Sequence, residues 1–439
     1  MSTKKHSAVM GCLLTMATLL AGAGYAADYY VAPGGDDANP GTIEKPMKSP
    51  VKAARMLKPG DTLYFRAGTY RCKTDGIVGL APPCDGEKDK PITLRSYNNE
   101  HVRLDVSGTD WGLTNAGYSW IVFDGFEVFG SRNNNMKLAS KRGGGGTGHH
   151  VTVRNCDFHG SGRENVFCHS TPYLLFENCR FHDSKRSHGL YLQVGCHNPV
   201  VRNCTSENNR GNSGIQFNAT AEGGITNALV ERCLLRGNAQ GFSQMGVIDS
   251  VFRNNVVYND GVDGPRGSGW RELIMWTYGK NGTKCRGNLW ENNTFVNTLP
   301  PGHKLNTIVR SKSGTSDITF RNNIFVVRGK PLFMLESFDG FVFENNCLYN
   351  IGGGGQVQGA GKLEAFAAAK GLKASGNVTG DPMFVDIDKG DLRLTEKSPC
   401  LNAGAKTAGG GQIEGKAPDM GAFEHGAAVR VGCKLPWMQ

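Results

Sequence analysis

Beyond residue 26 the chain has no unbroken apolar stretch near the roughly 18 residues of a membrane-spanning helix. It has no Cys-x-x-Cys and no His-x-x-x-His, the spacings that commonly hold zinc. It has one clear helix candidate, Lys362–Leu372. These absences exclude a multi-span membrane protein, a zinc-stapled module and an ordinary helical bundle. What is abundant is glycine, 61 of 439 residues, together with Asn-Asn pairs. With 39% hydrophobic residues a core can form, so the composition describes a turn-dense, mostly β chain.

The N-terminus reads as an export signal. Lys4, Lys5 and His6 precede an apolar run from Ala8 to Ala21, and Gly24-Tyr25-Ala26 is a small-x-small cleavage site. Residues 1–26 are therefore expected to be removed, and the protein to be secreted or periplasmic. Their loss takes two lysines and no acid, lowering the net charge from +10 to +8. A basic exported protein attracts acidic partners: a uronate-rich polysaccharide, a sulfated glycan, nucleic acid or an anionic surface. Taken with the motifs below, an acidic polysaccharide is the expected partner, met by a monomer with no nucleic-acid partner and no membrane span. Of the 13 cysteines, Cys72 and Cys84 flank a Pro/Gly-rich excursion and are expected to form a disulfide. Cys400 with Cys433 is a weaker pair.

Internal repetition organises the rest. The phrase apolar, any, apolar, charged, Asn, Cys or Asn, any, apolar occurs as Val151–Phe158 and Leu174–Phe181, and recurs around Cys204, Cys233, Asn255, Asn293, Asn323 and Asn346. An imperfect copy ends at Phe126. These register marks are 30, 23, 25, 29, 22, 38, 30 and 23 residues apart. A constant phrase with variable spacing means one fixed unit joined by loops of free length. The phrase alternates with period 2 and is rich in Val, Phe and Asn, which suits strands. Propeller blades need roughly 40–50 residues each. The spacing predicts a parallel β-helix of about ten rungs, a rod about 45–50 Å long at about 4.8 Å per rung. Asn in the turns tolerates left-handed backbone. Cys156, Cys179, Cys204 and Cys233 read as an internal stack of small side chains, continued by Asn from 255 onward.

The open ends need covers. Residues 27–110 are expected to hold an N-terminal cap and the first rungs, with a strand at Tyr29–Ala32 and a helix around Pro50–Leu57. Residues 111–350 form the body, and 351–439 a C-terminal helix and segments that close the other end.

Several phrases resemble bacterial right-handed β-helix proteins of the pectate-lyase-like superfamily. They are Tyr29–Asp37, Asn39-Pro-Gly41 and Lys58–Tyr70 at the start, Gly380–Asp386, Ser398–Gly404 and Pro418–Glu424 near the end, and Ser187–Gln193 with Ser213–Asn218 in the middle. The resemblance covers nearly all of the chain after residue 26. It implies the fold, and a superfamily that includes polysaccharide lyases, some glycoside hydrolases and uronate epimerases. Pectate lyases of this kind use an Asp cluster for calcium and a Lys base. No Asp cluster is evident here: Asp157, Asp183 and Glu207 are dispersed, and Asp260 with Asp263 is the nearest approach. No cofactor is expected; a calcium site at Asp260 and Asp263 stays open but has no Asp cluster to support it.

Strands lining a groove are expected near Asn135–Ser140, Asn165–Ser170, His188–Gln193, Ser213–Asn218, Gln240–Met245, Leu273–Tyr278 and Asn306–Lys312. Alternation puts Leu190, Leu192, Ile215 and Phe217 inside, and Tyr191, Gln193, Gln216 and Asn218 outside, with Lys137 and His169 on neighbouring rungs. Glycoside hydrolysis needs two carboxylates about 5–10 Å apart, and these strands offer no such stacked pair. β-Elimination from a uronate needs a group to hold the carboxylate, a base and an acid, which cations, His and Tyr can supply. The expected base is His188 or Lys137, and Tyr191 the acid or a second base. Arg186, Arg210, Gln193, Gln216, Asn218 and His169 would hold carboxylate and hydroxyls, with Trp270, Arg271 and Trp276 as a sugar-binding wall. A polysaccharide lyase is the leading expectation. A hydrolase or C5-epimerase on the same scaffold, or a non-catalytic glycan binder, are the alternatives.

Overall fold

The computed structural model of the chain describes residues 26–75, 79–139, 148–219, 223–260, 271–277, 282–300, 307–406, 415–428 and 431–438. All of the expected leader except Ala26, and also Asp263 and Trp270, lie outside them.

The chain winds through three long sheets of 13, 12 and 9 strands. One rung shows the plan. Val151–Arg154 lies in the 13-stranded sheet, Asp157–His159 in the 12-stranded sheet and Val166–His169 in the 9-stranded sheet. Each strand pairs in parallel with its counterpart one rung on: Val151 with Leu174, Asp157 with Arg180, Val166 with Leu190. Parallel neighbours joined by a full circuit of the chain give a right-handed parallel β-helix. The predicted groove strands are all present, at Asn134–Ala139, Val166–His169, Leu190–Gln193, Ser213–Asn218, Gln240–Met245, Arg271–Trp276 and Thr307–Ser311. Trp111–Thr114 and Phe333–Leu335 extend this sheet at its two edges.

The register marks have a backbone cause. The residue before each mark turns the corner between the two larger sheets in the left-handed region. Asn155, Asn178, Asn203, Asn254, Asn292, Asn322 and Asn345 have φ between 52° and 56°, and Arg232 has φ 52°. Asn tolerates this conformation better than other side chains. Gly125 takes the same place before Phe126 with φ 84°, and a Cβ there would sit 2.2 Å from the Ser96 hydroxyl oxygen. The marks themselves point inward. Cys156, Cys179, Cys204 and Cys233 are buried, and Asn255 continues their column. Asn255, Asn293, Asn323, Asn346 and Asn377 then bond Nδ2 to Oδ1 along the rod at 2.9–3.0 Å.

Inside, aromatic rings stack on their counterparts: Phe252 on Trp290 with centroids 4.2 Å apart, Phe295 on Phe325 at 5.2 Å, Phe320 on Phe343 at 5.5 Å. One interior position breaks the rule. Gln244 pairs with Phe217 and Met275 in an inward column, is fully buried, and has no hydrogen-bond partner for either side-chain polar atom. Burying an unsatisfied amide costs about 1–3 kcal/mol. Gln244→Met is therefore expected to raise the urea midpoint, and an unchanged or lowered midpoint would refute that account.

The predicted helix occurs as Leu363–Lys370, burying Leu363, Phe366 and Ala367 against the C-terminal end. The N-terminal helix is shorter than expected, Pro50–Ala54. The expected disulfides do not form. Cys72 and Cys84 are free thiols with separate partners, the carbonyls of Ser107 and Leu57, and Cys400 and Cys433 are free as well. The closing segments also behave differently from expectation. They run back along the outside of the rod. Asn345 and Asn322 donate to the carbonyls of Ala403 and Ala405, Asn292 to that of Asp419, and Asn178 to that of Lys434. Trp437 finally stacks on His101 at 5.4 Å. The strap buries Leu392, Leu394, Met420 and Ala422 against Val256, Val296, Ile324 and Val326, so its apolar residues cover a side wall.

Candidate active site

The 9-stranded sheet has its own corner ladder, which sequence reading missed because its spacing differs from that of the register marks. Asn135 bonds to Asn165, Asn165 to Asn209, Asn209 to Asn238, and Asn238 to the carboxyl of Asp260, at 2.9–3.3 Å. Asp260 is thus interior. Beside it is Glu272, also fully buried, whose Oε1 accepts from Asn297 at 2.6 Å. Each of the two carboxyls keeps one buried oxygen without a partner. Burial pushes the Glu272 carboxyl up to about 8, and burial plus Glu272 pushes Asp260 well above the usual range. A carboxyl raised in the folded state stabilises fully below its unfolded value of about 4.3, and that stabilisation is lost as pH rises toward about 8. Glu272→Gln should remove part of this loss: relative to wild type, its thermal midpoint should be higher at pH 8.5 than at pH 5. Equal differences at both pH values would show that Glu272 does not titrate in this window.

Outward residues of the 9-stranded sheet form columns. Lys137, Phe167, Tyr191, Gln216, Ser243, Ile274 and Arg310 are successive register partners in one. Gln193, Asn218, Met245 and Trp276 form the next, with Lys312 following Ser311 beside it. Leu190, Leu192, Ile215 and Phe217 face inward and are fully buried, as alternation requires.

These columns floor a cavity of about 480 Å³. Of the residues singled out from sequence, His188, Tyr191, Gln216, Asn218 and Arg271 line it. Gln193 reaches it indirectly. Its Nε2 and the Nδ2 of Asn218 donate to the Tyr191 hydroxyl at 2.9 and 2.6 Å. The His188 ring lies 4.8 Å from that of Tyr191 and is buried, and its Nδ1 accepts the Ser213 N–H at 3.2 Å. An accepting Nδ1 fixes the orientation of the imidazole beside Tyr191. Lys137, His169, Arg186 and Arg210 do not line the cavity. Lys137 is two register steps from Tyr191, with its ammonium 4.9 Å from the Trp111 ring centre. Arg186 and Arg210 are exposed on loops.

Trp276, expected with Arg271 in a sugar-binding wall, lines the far end of the cavity, where sequence reading missed Arg310 and Lys312. Strand alternation over Thr307–Lys312 was the available signal: Arg310 and Lys312 share an outward parity. Arg271 is largely buried and its Nε has no partner. Arg310 donates from Nε to Glu336 at 2.6 Å. The Lys312 ammonium lies 5.2 Å from the Trp276 ring centre. Burial first, and then the neighbouring Arg310 and Arg271, hold the Lys312 amine below the ordinary lysine range. Burial and Arg310 likewise lower Arg271, to about 10.

Among the described residues the lining has one carboxylate, Glu164, whose two oxygens accept from Asn134 Nδ2 and Ser187 Oγ at 2.9 Å each. A hard cation such as calcium needs several converging oxygens, and one already-bonded carboxylate among cations does not fit it. No group of three or more His, Cys, Asp or Glu that could hold a metal occurs among the described residues.

A family model described as the Pel9A-like, right-handed β-helix region matches residues 29–264, more than half of the chain. The chain belongs to the Pel9A-like β-helix family. Pectate lyase L of Dickeya dadantii (strain 3937) is 23% identical over 423 residues, 90% of each chain. Pectate lyase PEL9 of Emericella nidulans is 36% identical over 80 residues, which is 18% of each chain. A third curated relative, 41% identical over 76 residues, is matched over 15% of its own length. Among solved structures, that of pectate lyase Pel9A superimposes with a TM-score of 0.61 at 18% identity, over 92% of this chain and 98% of that one. The Pel9A-like fold accounts for the parallel sheets and the groove, and at such identities the likeness is one of fold.

Proposed function

We propose that this Pel9A-like protein cleaves an acidic, uronate-containing polysaccharide by β-elimination in the groove. One observation carries the reading: Arg271, Arg310 and Lys312 converge at one end of an open groove with a lysine whose amine is held below its ordinary range. The relatives named as pectate lyases agree with it. The apolar N-terminal run supports export.

The chemistry follows from the residue types. Arg271, with an unpaired buried Nε, and Arg310 hold the uronate carboxylate and stabilise the charge that builds on it. Lys312 removes the proton from the carbon bearing the carboxylate. The electron pair of that C–H bond forms the C4–C5 double bond, the C4–O glycosidic bond breaks, and the departing oxygen takes a proton from water. Trp276 gives a sugar ring an apolar face to lie on. The Tyr191, His188, Gln216 and Asn218 end binds the polymer by hydrogen bonds. Lys312 suits the base better than His188, whose Nδ1 is already taken up by the Ser213 N–H. Among the described lining residues a single carboxylate, Glu164, gives no pair for hydrolysis.

The test is an assay of purified protein on acidic polymers. Unsaturated products absorbing near 235 nm are expected. Reducing ends without that absorbance would point to hydrolysis, and C5 inversion without cleavage to epimerisation. Either outcome would overturn the lyase reading.

A further inference from the structure

The strap and the rod each bring a thiol to the place where they meet. Cys347 stands in an outward column of the 12-stranded sheet, where it follows Thr294 and Ile324 in register. Cys400 belongs to the strap. Both are free thiols, fully buried in the apolar cluster between strap and rod and outside the rod's own core. Their side chains are hydrogen-bonding neighbours. Backbone bonds fix each side. On the rod the Cys347 N–H donates to the Asn323 carbonyl at 2.8 Å, and on the strap the Cys400 carbonyl accepts the Met420 N–H at 3.0 Å. The Cys400 N–H donates to Ser398 Oγ at 3.1 Å, and the Ser398 hydroxyl to the Pro382 carbonyl at 2.6 Å. The interior thiols Cys156, Cys179, Cys204 and Cys233 also neighbour one another in turn. They project side by side from in-register parallel strands, so their Cβ atoms keep the strand spacing of about 4.8 Å. A disulfide spans about 3.5–4.5 Å between Cβ atoms. Cys347 and Cys400 come from opposite sides and are not held to that spacing.

We propose that Cys347 and Cys400 are a modification site, oxidised to a disulfide that fastens the strap to the rod. The oxidant is a second disulfide of an oxidising compartment, glutathione disulfide or that of a thiol–disulfide oxidoreductase. One cysteine thiolate attacks a sulfur of the oxidant, which forms a mixed disulfide and releases one thiol. The other cysteine thiolate then attacks the protein-side sulfur, which forms the Cys347–Cys400 bond and releases the second thiol. The two protons leave on the two released thiols, and the oxidant takes up the two electrons. In the docked strap the hydrogen bond with Cys400 and then burial hold the Cys347 thiol well above its ordinary range. The first attack therefore belongs to folding, before the strap has closed. The bond closes a loop of about 50 residues, which restricts the unfolded chain and keeps the strap on the rod. The proposal rests on export of the chain and is independent of the chemistry in the groove.

The test uses the mature chain exported to the periplasm of a bacterial host and purified without reductant. Free thiols are alkylated in denaturant, and the chain is digested with trypsin. Residues 329–362 and 398–406 form tryptic peptides that carry Cys347 and Cys400 as their single cysteines. A linked pair of these peptides is expected, two hydrogens lighter than their sum and separated by dithiothreitol. Recovery of both peptides alkylated, or of either one linked to a different cysteine, overturns the proposal. The fastening role is read from thermal unfolding. Dithiothreitol should lower the wild-type midpoint by about 5 °C and leave that of Cys400→Ala unchanged. Loss of side-chain packing alone would lower the variant's midpoint without making the wild type sensitive to reductant. A linked pair whose reduction leaves the midpoint in place would overturn the fastening role. If Cys400→Ala does not fold, the wild-type peptides and the wild-type response to dithiothreitol decide both questions.

Discussion

Lys312→Met should lower kcat/KM on the cleaved polymer by about 10²–10⁴-fold, the usual contribution of a positioned general base. Methionine keeps the apolar stem beside Trp276 and removes the amine. The fold should be unaffected, since Lys312 is on the groove surface one residue beyond its strand. A loss of less than tenfold with an intact far-UV spectrum would remove Lys312 from the mechanism. The same site makes a pH prediction. The base acts only when deprotonated, so kcat/KM should rise with pH through the lysine's lowered value. Arg310 is one of the cations that lowers it. Arg310→Gln removes that cation and releases Glu336, which opposes the lowering, so the rising limb should move to higher pH. A limb that stays in place or moves down would contradict the assignment, while a merely structural role for Arg310 would reduce the rate without moving the limb.

Trp290→Ala should be the most damaging single change to stability, at about 3–5 kcal/mol. Trp290 is fully buried, stacks on Phe252 at 4.2 Å and meets Phe242 and Phe295 at 5.4 and 5.8 Å. Its removal leaves a cavity across three consecutive rungs. In a solenoid each rung is supported mainly by its neighbours, so the loss should spread along the rod. Hydrogen exchange of the strands Val251–Arg253 and Thr319–Arg321 should accelerate along with that of Leu289–Glu291. Trp290→Phe should cost less, both because it keeps a ring in the stack and because the Trp290 Nε1 is buried without a partner. Equal losses for Ala and Phe would mean that the indole's shape, rather than the filled volume, matters here.

Much of the architecture was legible because a β-helix repeats its hydrogen-bonding partner every rung. Wherever the corner needs left-handed backbone, Asn recurs, and the next residue must be small or able to pair with its own counterpart. Asn155-Cys156 and Asn292-Asn293 record both demands, so the marks located the strands of all three sheets. Loops were less legible. The disulfide expected between Cys72 and Cys84 came from chain proximity, while the structure gives each thiol a different carbonyl. The C-terminal phrases were recognisable, but their path was not. Their contacts are with residues such as Asn178 and Asn322, 256 and 83 positions away, and no local pattern encodes such partners.

The site divides the same way. Alternation alone determined that Tyr191, Gln216 and Asn218 point outward and that Leu190, Leu192, Ile215 and Phe217 point in, because side-chain direction along a strand depends only on parity. It also placed Arg310 and Lys312 outward without showing that they matter. Which outward residues share a cavity was decided by register. The intervening loops differ in length from rung to rung, so separation in sequence does not measure separation along the rod. Only the pairing of Gln216 with Ser243, Ser243 with Ile274 and Ile274 with Arg310 brings the cationic end into line with Tyr191. The lowering of the Lys312 amine is tertiary only in part: burial and Arg271 act from across the wall, while Arg310 is two residues away along the same chain segment.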